Sequence, residues 1–156
     1  MRDGNIYKEE KRQEYKSFSS SYMMMNSENF FQHIKASLEQ EVKRFECIGS
    51  RYDISYCILL IYHESQDDIS HLILSNIRCA DSFMKIDEHH YAVVFFSNRE
   101  DSYSILANKL MFSIESESVG KTSIGAACSN FEDNVILAAV QNVIEAKSLD
   151  YNTIID

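Results

Sequence analysis

At 156 residues, with no proline and only four glycines, the chain is long enough to bury a core of its own and is built of regular elements rather than long loops or a disordered linker. A net charge of -9 with scattered lysines and arginines leaves no basic stripe to neutralise phosphates along a duplex, which excludes nucleic acid as a partner. The longest apolar runs, Cys57 to Ile61 and Ala92 to Phe96, have strand length and fall far short of a membrane helix; the charged amino terminus lacks a signal-peptide pattern. Cys47, Cys57, Cys79 and Cys128 show neither CxxC nor Cys/His spacing, so reduced cysteines in a cytoplasmic protein are expected.

Residues 1–21 are expected to be an arm or helix preceding a single domain over 22–156. Asn5 to Phe18 is charge-dense, with Ile6, Tyr7, Tyr15 and Phe18 at roughly helical spacing. A loosely attached helix, a dimerising arm and a frayed tail all fit it. The serines at 19, 20 and 21 read as a break, and Ser27 as the N-cap of a helix running to about Cys47. Phe30, Phe31, Ile34, Leu38, Val42 and Phe45 give that helix one apolar face. Met23 to Met25 read as cover for the core at the helix entrance, with an adaptable partner surface as the alternative.

Ile54 to Tyr62 is β-branched and aromatic and reads as a central strand. Asp67 and Asp68 cap a helix to about Arg78 with Ile69, Leu72, Ile73 and Ile77 inward. Ser82 to Ile86 and Tyr91 to Phe96 form a hairpin around Asp87, Glu88, His89 and His90. The second strand is so continuously apolar that both faces must be covered, which places the hairpin at the centre of a sheet flanked by helices. Glu100 and Asp101 open a helix with Tyr103, Leu106, Leu110 and Ile114 inward. Thr122 to Cys128 is a strand whose small residues admit a close neighbour or ligand. Glu132 and Asp133 start a helix ending near Lys147, and Asn152 to Ile155 closes as a short strand. The fold class is α/β (α+β), a single mixed central sheet with flanking helices.

Arg78, Cys79, Ala80 and Asp81 resemble the RxxD inhibitory-site motif of the GGDEF family, the diguanylate cyclase domains that condense two GTP into cyclic di-GMP. The hairpin turn begins at Asp87, and 87 − 78 = 9, as in that family. Thr122, Ser123, Ile124 and Gly125 resemble its TVSIG strand, while Ala146 and Lys147 with Asn152 resemble its AKxxGRN ending. The resemblance covers roughly 19–156 and implies a nucleotidyl-cyclase palm-like fold.

The departures imply a degenerate domain. Asp87, Glu88, His89, His90 and Tyr91 stand where the family has GGDEF, so the glycines that admit GTP are absent. The family's metal-binding aspartate at the end of the first strand falls near Tyr62, and the acidic ligand of the turn falls on His89. Two Mg²⁺ ions need hard oxygen ligands. The segment from Tyr62 to Arg78 is shorter than in active members, Tyr151 replaces the arginine of the ending, and the opening motif is reduced to Asn26 and Phe30. No cyclase activity is expected.

Arg78 and Asp81 are the leading candidate site. The guanidinium fork suits guanine O6 and N7 or a phosphate, and a carboxylate three residues on accepts from guanine N1 and N2 hydrogens. The resemblance implies cyclic di-GMP as the ligand, with Lys109 from the next helix assisting. The competing reading is a solvated ion pair at a helix end. A second cluster, His63, Glu64, Asp87, Glu88, His89 and His90, would converge at the turn, and His63, Glu64, His89 and His90 would suit Zn²⁺ or Ni²⁺; a solvated polar turn is the simpler account. His33 and His71 read as helix-surface residues. No cofactor is implied, and no nucleophile elbow, P-loop or HExxH spacing occurs. Two functions are expected in competition: a cyclic di-GMP receptor that makes no product, and a protein-interaction or dimerisation module without a nucleotide.

Overall fold

The computed structural model describes residues 19–97 and 102–156. In chain order the elements are α1 (Ser19–Tyr52), β1 (Ser55–His63), α2 (Ser70–Leu74), β2 (Ser82–Lys85), β3 (His90–Ser97), α3 (Ser102–Glu117), β4 (Thr122–Cys128), α4 (Val135–Lys147) and β5 (Thr153–Ile155). They form a mixed five-stranded sheet in the order β2-β3-β1-β4-β5. Every pairing is antiparallel except β4 with β5.

The middle strand is β1, not the hairpin. β2 is an edge strand, and β3 lies one place in from it. β1 is buried on both faces because helices cover both. Tyr56, Ile58 and Leu60 pack with Ala92, Val94, α1 and α4. Cys57, Leu59 and Ile61 pack with Tyr91, Val93, Phe95, α2 and α3 on the other side. Strand alternation therefore decides which helical layer each functional side chain meets.

α1 is longer at both ends than its apolar pattern predicts. The serines at 19 to 21 do not break it, since serine costs a helix only a few tenths of a kcal/mol and no glycine or proline intervenes before Gly49. It ends where Asp53 takes a left-handed φ of 53° and Ile54 N–H donates to the Gly49 carbonyl at 2.9 Å, a Schellman closure. α2 stops at Leu74 instead of Arg78. Ser75 Oγ and Asn76 Nδ2 both donate to the Leu72 carbonyl, at 3.0 and 2.7 Å, and turn the chain away. α4 starts at Val135, two residues later than the acidic pair suggests, because Asn134 Oδ1 accepts from Leu137 N at 3.1 Å and is the cap.

One expectation about the cysteines is corrected. Cys57 and Cys128 face each other across β1 and β4, with Cα atoms 4.1 Å apart, and are joined as a disulfide. Strand register brings together residues 71 apart in sequence, which spacing rules cannot foresee. Cys47 and Cys79 are exposed thiols. Among the described residues no helix is long and apolar enough to cross a membrane. Of the arm expected at 1–21, residues 19–21 belong to α1 and 1–18 lie outside the described residues, as do the side chains of the methionine run, and Glu100 and Asp101.

Candidate functional site

The β2–β3 turn is organised by Asp87. Its Oδ1 accepts from the backbone N–H groups of His89 and His90, each at 2.9 Å, and from His90 Nδ1 at 2.9 Å. Its Oδ2 lies 3.0 Å from His33 Nε2 on α1. Beyond His90, Nε2 accepts from Lys147 Nζ at 3.0 Å. Because Nδ1–H faces a carboxylate, the Nε2 lone pair is left for the ammonium, and this assigns the tautomer. The Lys147 ammonium lies 4.5 Å from the Tyr62 ring centroid and 4.8 Å from that of Phe30, so its charge sits against two aromatic faces. Lys121 Nζ donates to the Lys147 and Leu149 carbonyls and fastens the end of α4.

These contacts tune the charges. Burial pushes Asp87 upward, but hydrogen bonds from the His89 N–H, His90 and His33 outweigh it and carry the carboxyl down to about 2. Burial, then the Lys147 charge, lowers His90 against the pull of Asp87. Burial also lowers Lys147, with Asp87 opposing. The result is a carboxylate, a neutral imidazole and an ammonium in series.

The metal cluster weighed against a solvated polar turn does not assemble among the described residues. His63 follows Tyr62 on β1 and so points to the opposite layer, where it is fully buried with Nδ1 2.8 Å from Thr122 Oγ1 and Nε2 2.9 Å from Ser118 Oγ. Only its backbone meets the turn: the N–H donates to the His89 carbonyl at 2.8 Å and the carbonyl accepts from His89 Nδ1 at 2.9 Å. Glu64 Oε2 is taken by the Lys121 N–H, and Glu88 is exposed. Among the described residues no group of three or more His, Cys, Asp or Glu is placed to hold a metal ion. An ammonium stands at the centre instead and repels cations. Tyr91 is also away from the turn site; its ring is buried in the other layer, with its hydroxyl accepting from Ile69 N at 3.3 Å. His33 is an exposed helix-surface residue, as expected; what sequence reasoning missed is its reach to Asp87. The available signal was its place one turn after Phe30 on the same helix.

Arg78 and Asp81 form a turn between α2 and β2. Asp81 Oδ2 accepts from the Arg78 N–H at 2.8 Å and lies 3.8 Å from Arg78 Nε. The carboxylate side chain is 4% exposed and the guanidinium side chain 77%. Arg78, Asp81 and Lys109 line one cavity of about 240 Å³ with Asn76, Ile105 and Leu106. A second cavity of about 340 Å³ shares Arg78 and Asp81 and reaches Leu74, Cys79 and Phe83.

A mixed five-stranded sheet with β1 in the middle and helices on both faces is a palm-like α+β fold. Within that class the fold is that of GGDEF domains. The GGDEF domain of DgcB from Caulobacter crescentus, solved in complex with c-di-GMP, has a TM-score of 0.64 at 11% identity, covering 78% of this chain and 88% of that one. The GGDEF domain of YfiN (TpbB) from Pseudomonas aeruginosa has a TM-score of 0.61 at 12% identity, covering 78% and 89%. The diguanylate cyclase SiaD from Pseudomonas aeruginosa, solved with its activator SiaC, has a TM-score of 0.59 at 12% identity, covering 97% of this chain and 74% of that one. At such identities the likeness is one of fold. No protein-family model matches the sequence, and no curated protein is significantly similar to it.

Proposed function

We propose that this is a GGDEF-like signalling domain that makes no cyclic di-GMP and instead binds it through Arg78, Asp81 and Lys109. The observation that carries the reading is the cavity these three share, with an exposed guanidinium at its rim to make charge-assisted contacts to guanine or phosphate. Loss of cyclase chemistry is supported at the turn. Where the resemblance would place two Mg²⁺ ions and a triphosphate, the Asp87 oxygens are already taken by histidines and backbone. Tyr62 and His89 offer no carboxylate, and Lys147 is tied to His90. Incubation with GTP and Mg²⁺ or Mn²⁺ is expected to yield no cyclic di-GMP; turnover above a buffer control refutes this part of the reading.

Ligand binding is tested by calorimetric titration with cyclic di-GMP. Arg78→Ala removes a charge-assisted pair of about 1.5–3 kcal/mol and is expected to weaken binding roughly tenfold or more. Its melting temperature should stay near wild type, because the side chain is 77% exposed. Asp81→Asn is the better partner variant, since it retains an acceptor for the Arg78 N–H. The alternative is an interaction module with no nucleotide ligand. It is favoured by the commitment of Asp81, whose carboxylate already serves the backbone and is 4% exposed. No heat of binding to wild type at high micromolar ligand decides for that alternative.

A further inference from the structure

The Cys57–Cys128 disulfide joins directly opposed residues of β1 and β4, so its bond runs across the sheet. Thiol–disulfide exchange is an in-line displacement, in which the entering thiolate approaches one sulfur from the side away from the other. Sheet order decides which sulfur can be reached in this way. Beyond Cys57 lies β3, where Phe95 is its direct partner on the same face, in the same core cluster and 2% exposed. That approach is closed. Beyond Cys128 lies the β5 side of the sheet.

The β5 side of Cys128 borders a cavity. β5 ends at Ile155, opposite Gly125, and past that point Ala126 and Cys128 line a space of about 290 Å³. Tyr103, Phe131, Glu132 and Asp156 form the rest of its wall, whereas Cys57 does not reach it. The Tyr103 hydroxyl donates to the Asp156 carboxylate, which keeps that charge beside the cavity. Phe131 is 63% exposed and Cys128 5%, so the ring stands at the mouth and the sulfur at the floor. The volume lies at the small end of ligand pockets and suits a guest of a few heavy atoms. Two carboxylates and two aromatic rings, with no Lys or Arg among the described lining residues, favour a cation and repel an anion.

We propose that the Cys57–Cys128 disulfide is an exchange site for small aminothiols, which enter this cavity and attack Cys128 Sγ. The entering thiolate bonds to Cys128 Sγ as the Cys57–Cys128 bond breaks, and the electron pair leaves on Cys57, which takes a proton from water. A second aminothiol attacks the sulfur of the first. The two depart as one symmetrical disulfide, and Cys128 is left as a thiol. The protein bond gains two electrons and two thiols lose one each. Opening it removes a link between residues 71 apart in sequence, so the melting temperature falls on reduction. The inference is independent of the dinucleotide reading, since Arg78, Asp81 and Lys109 do not line this cavity.

The test uses the full chain carrying Cys47→Ser and Cys79→Ser, so that only these two sulfurs remain. Loss of the disulfide is followed by mass spectrometry with cysteamine, a cationic thiol, and with 3-mercaptopropionate, an anionic one. Compared per thiolate at low salt, cysteamine is expected to react about tenfold faster or more, and high salt should narrow the gap. Glu132→Lys, at an exposed position, should abolish or reverse the preference with circular dichroism unchanged. The half-reaction is also run backwards with cystamine, the disulfide of cysteamine. With Cys57→Ala added, Cys128 should be labelled at least about tenfold faster than Cys57 is with Cys128→Ala added. Equal rates for the two thiols, labelling of Cys57 as fast as Cys128, or a chain without the Cys57–Cys128 bond after oxidation in air would each overturn the inference.

Discussion

Replacing Gly125 by alanine is expected to destabilise the fold by about 3 kcal/mol, at the upper end of what overpacking a core costs. Gly125 sits in β4 against α4, and an added Cβ would come within 2.7 Å of both the Ala139 carbonyl oxygen and the Val143 Cα, and closer still to the Val143 nitrogen. All of these are backbone atoms, so no side-chain rotation relieves the clash. The sheet and helix must separate, loosening Ala126, Ala139 and Val143, each fully buried. For a chain of this size the change corresponds to a fall in melting temperature of about 6–12 °C. A thermal melt within 2 °C of wild type would show that α4 yields, and would remove the close approach as the reason for glycine.

The second large effect lies at Asp87. Asp87→Ala leaves the His89 and His90 N–H groups and His90 Nδ1 without their shared acceptor and releases His33 on α1. Half-buried donors left unpaired cost about 1–3 kcal/mol each before relaxation, so a net loss of about 2–4 kcal/mol is expected. The wild-type protein also carries an acid signature. Asp87 titrates at about 2 instead of 3.8, so its contribution is fully present above 3.8 and is lost as pH falls toward 2. The shift alone corresponds to at most about 2.5 kcal/mol. With the carboxylate 35% exposed, solvent screening reduces it to about 1–2 kcal/mol. His90 is lowered from 6.5 and acts in the same direction, its share present above 6.5 and lost below it. Chemical denaturation between pH 7 and 3 should therefore show wild type losing stability steadily on acidification, with Asp87→Asn losing less below pH 4. Parallel curves for the two would remove Asp87 as the source.

The two effects differ in how far the sequence foretold them. The small residues of Thr122 to Cys128 announce close packing, but whether a ligand or another element fills the space is not written in them. The structure supplies α4. At the turn, the string Asp87, Glu88, His89, His90 reads as a group of metal-type ligands because composition carries no direction. Once β1 places Tyr62 and His63 on opposite faces, His63 is withdrawn to Thr122 and Ser118. Its position on the site side is taken by Tyr62, beneath the ammonium of Lys147.

What the sequence by itself determined is the set and order of elements, since apolar periodicity of about two or 3.6 residues is a local property that burial on one or two faces imposes. It also determined the pairing of Arg78 with Asp81, three residues apart within a single turn. Everything that depends on distant segments meeting was decided by the tertiary structure. The sheet order makes β1 rather than the hairpin the middle strand. Register joins Cys57 to Cys128, and α1 and α4 deliver His33 and Lys147 to opposite ends of the Asp87–His90 pair. The physical reason is that strand pairing and helix packing are chosen by the summed burial of two complete cores. No local run of residues encodes which distant side chain will complete its hydrogen bonds.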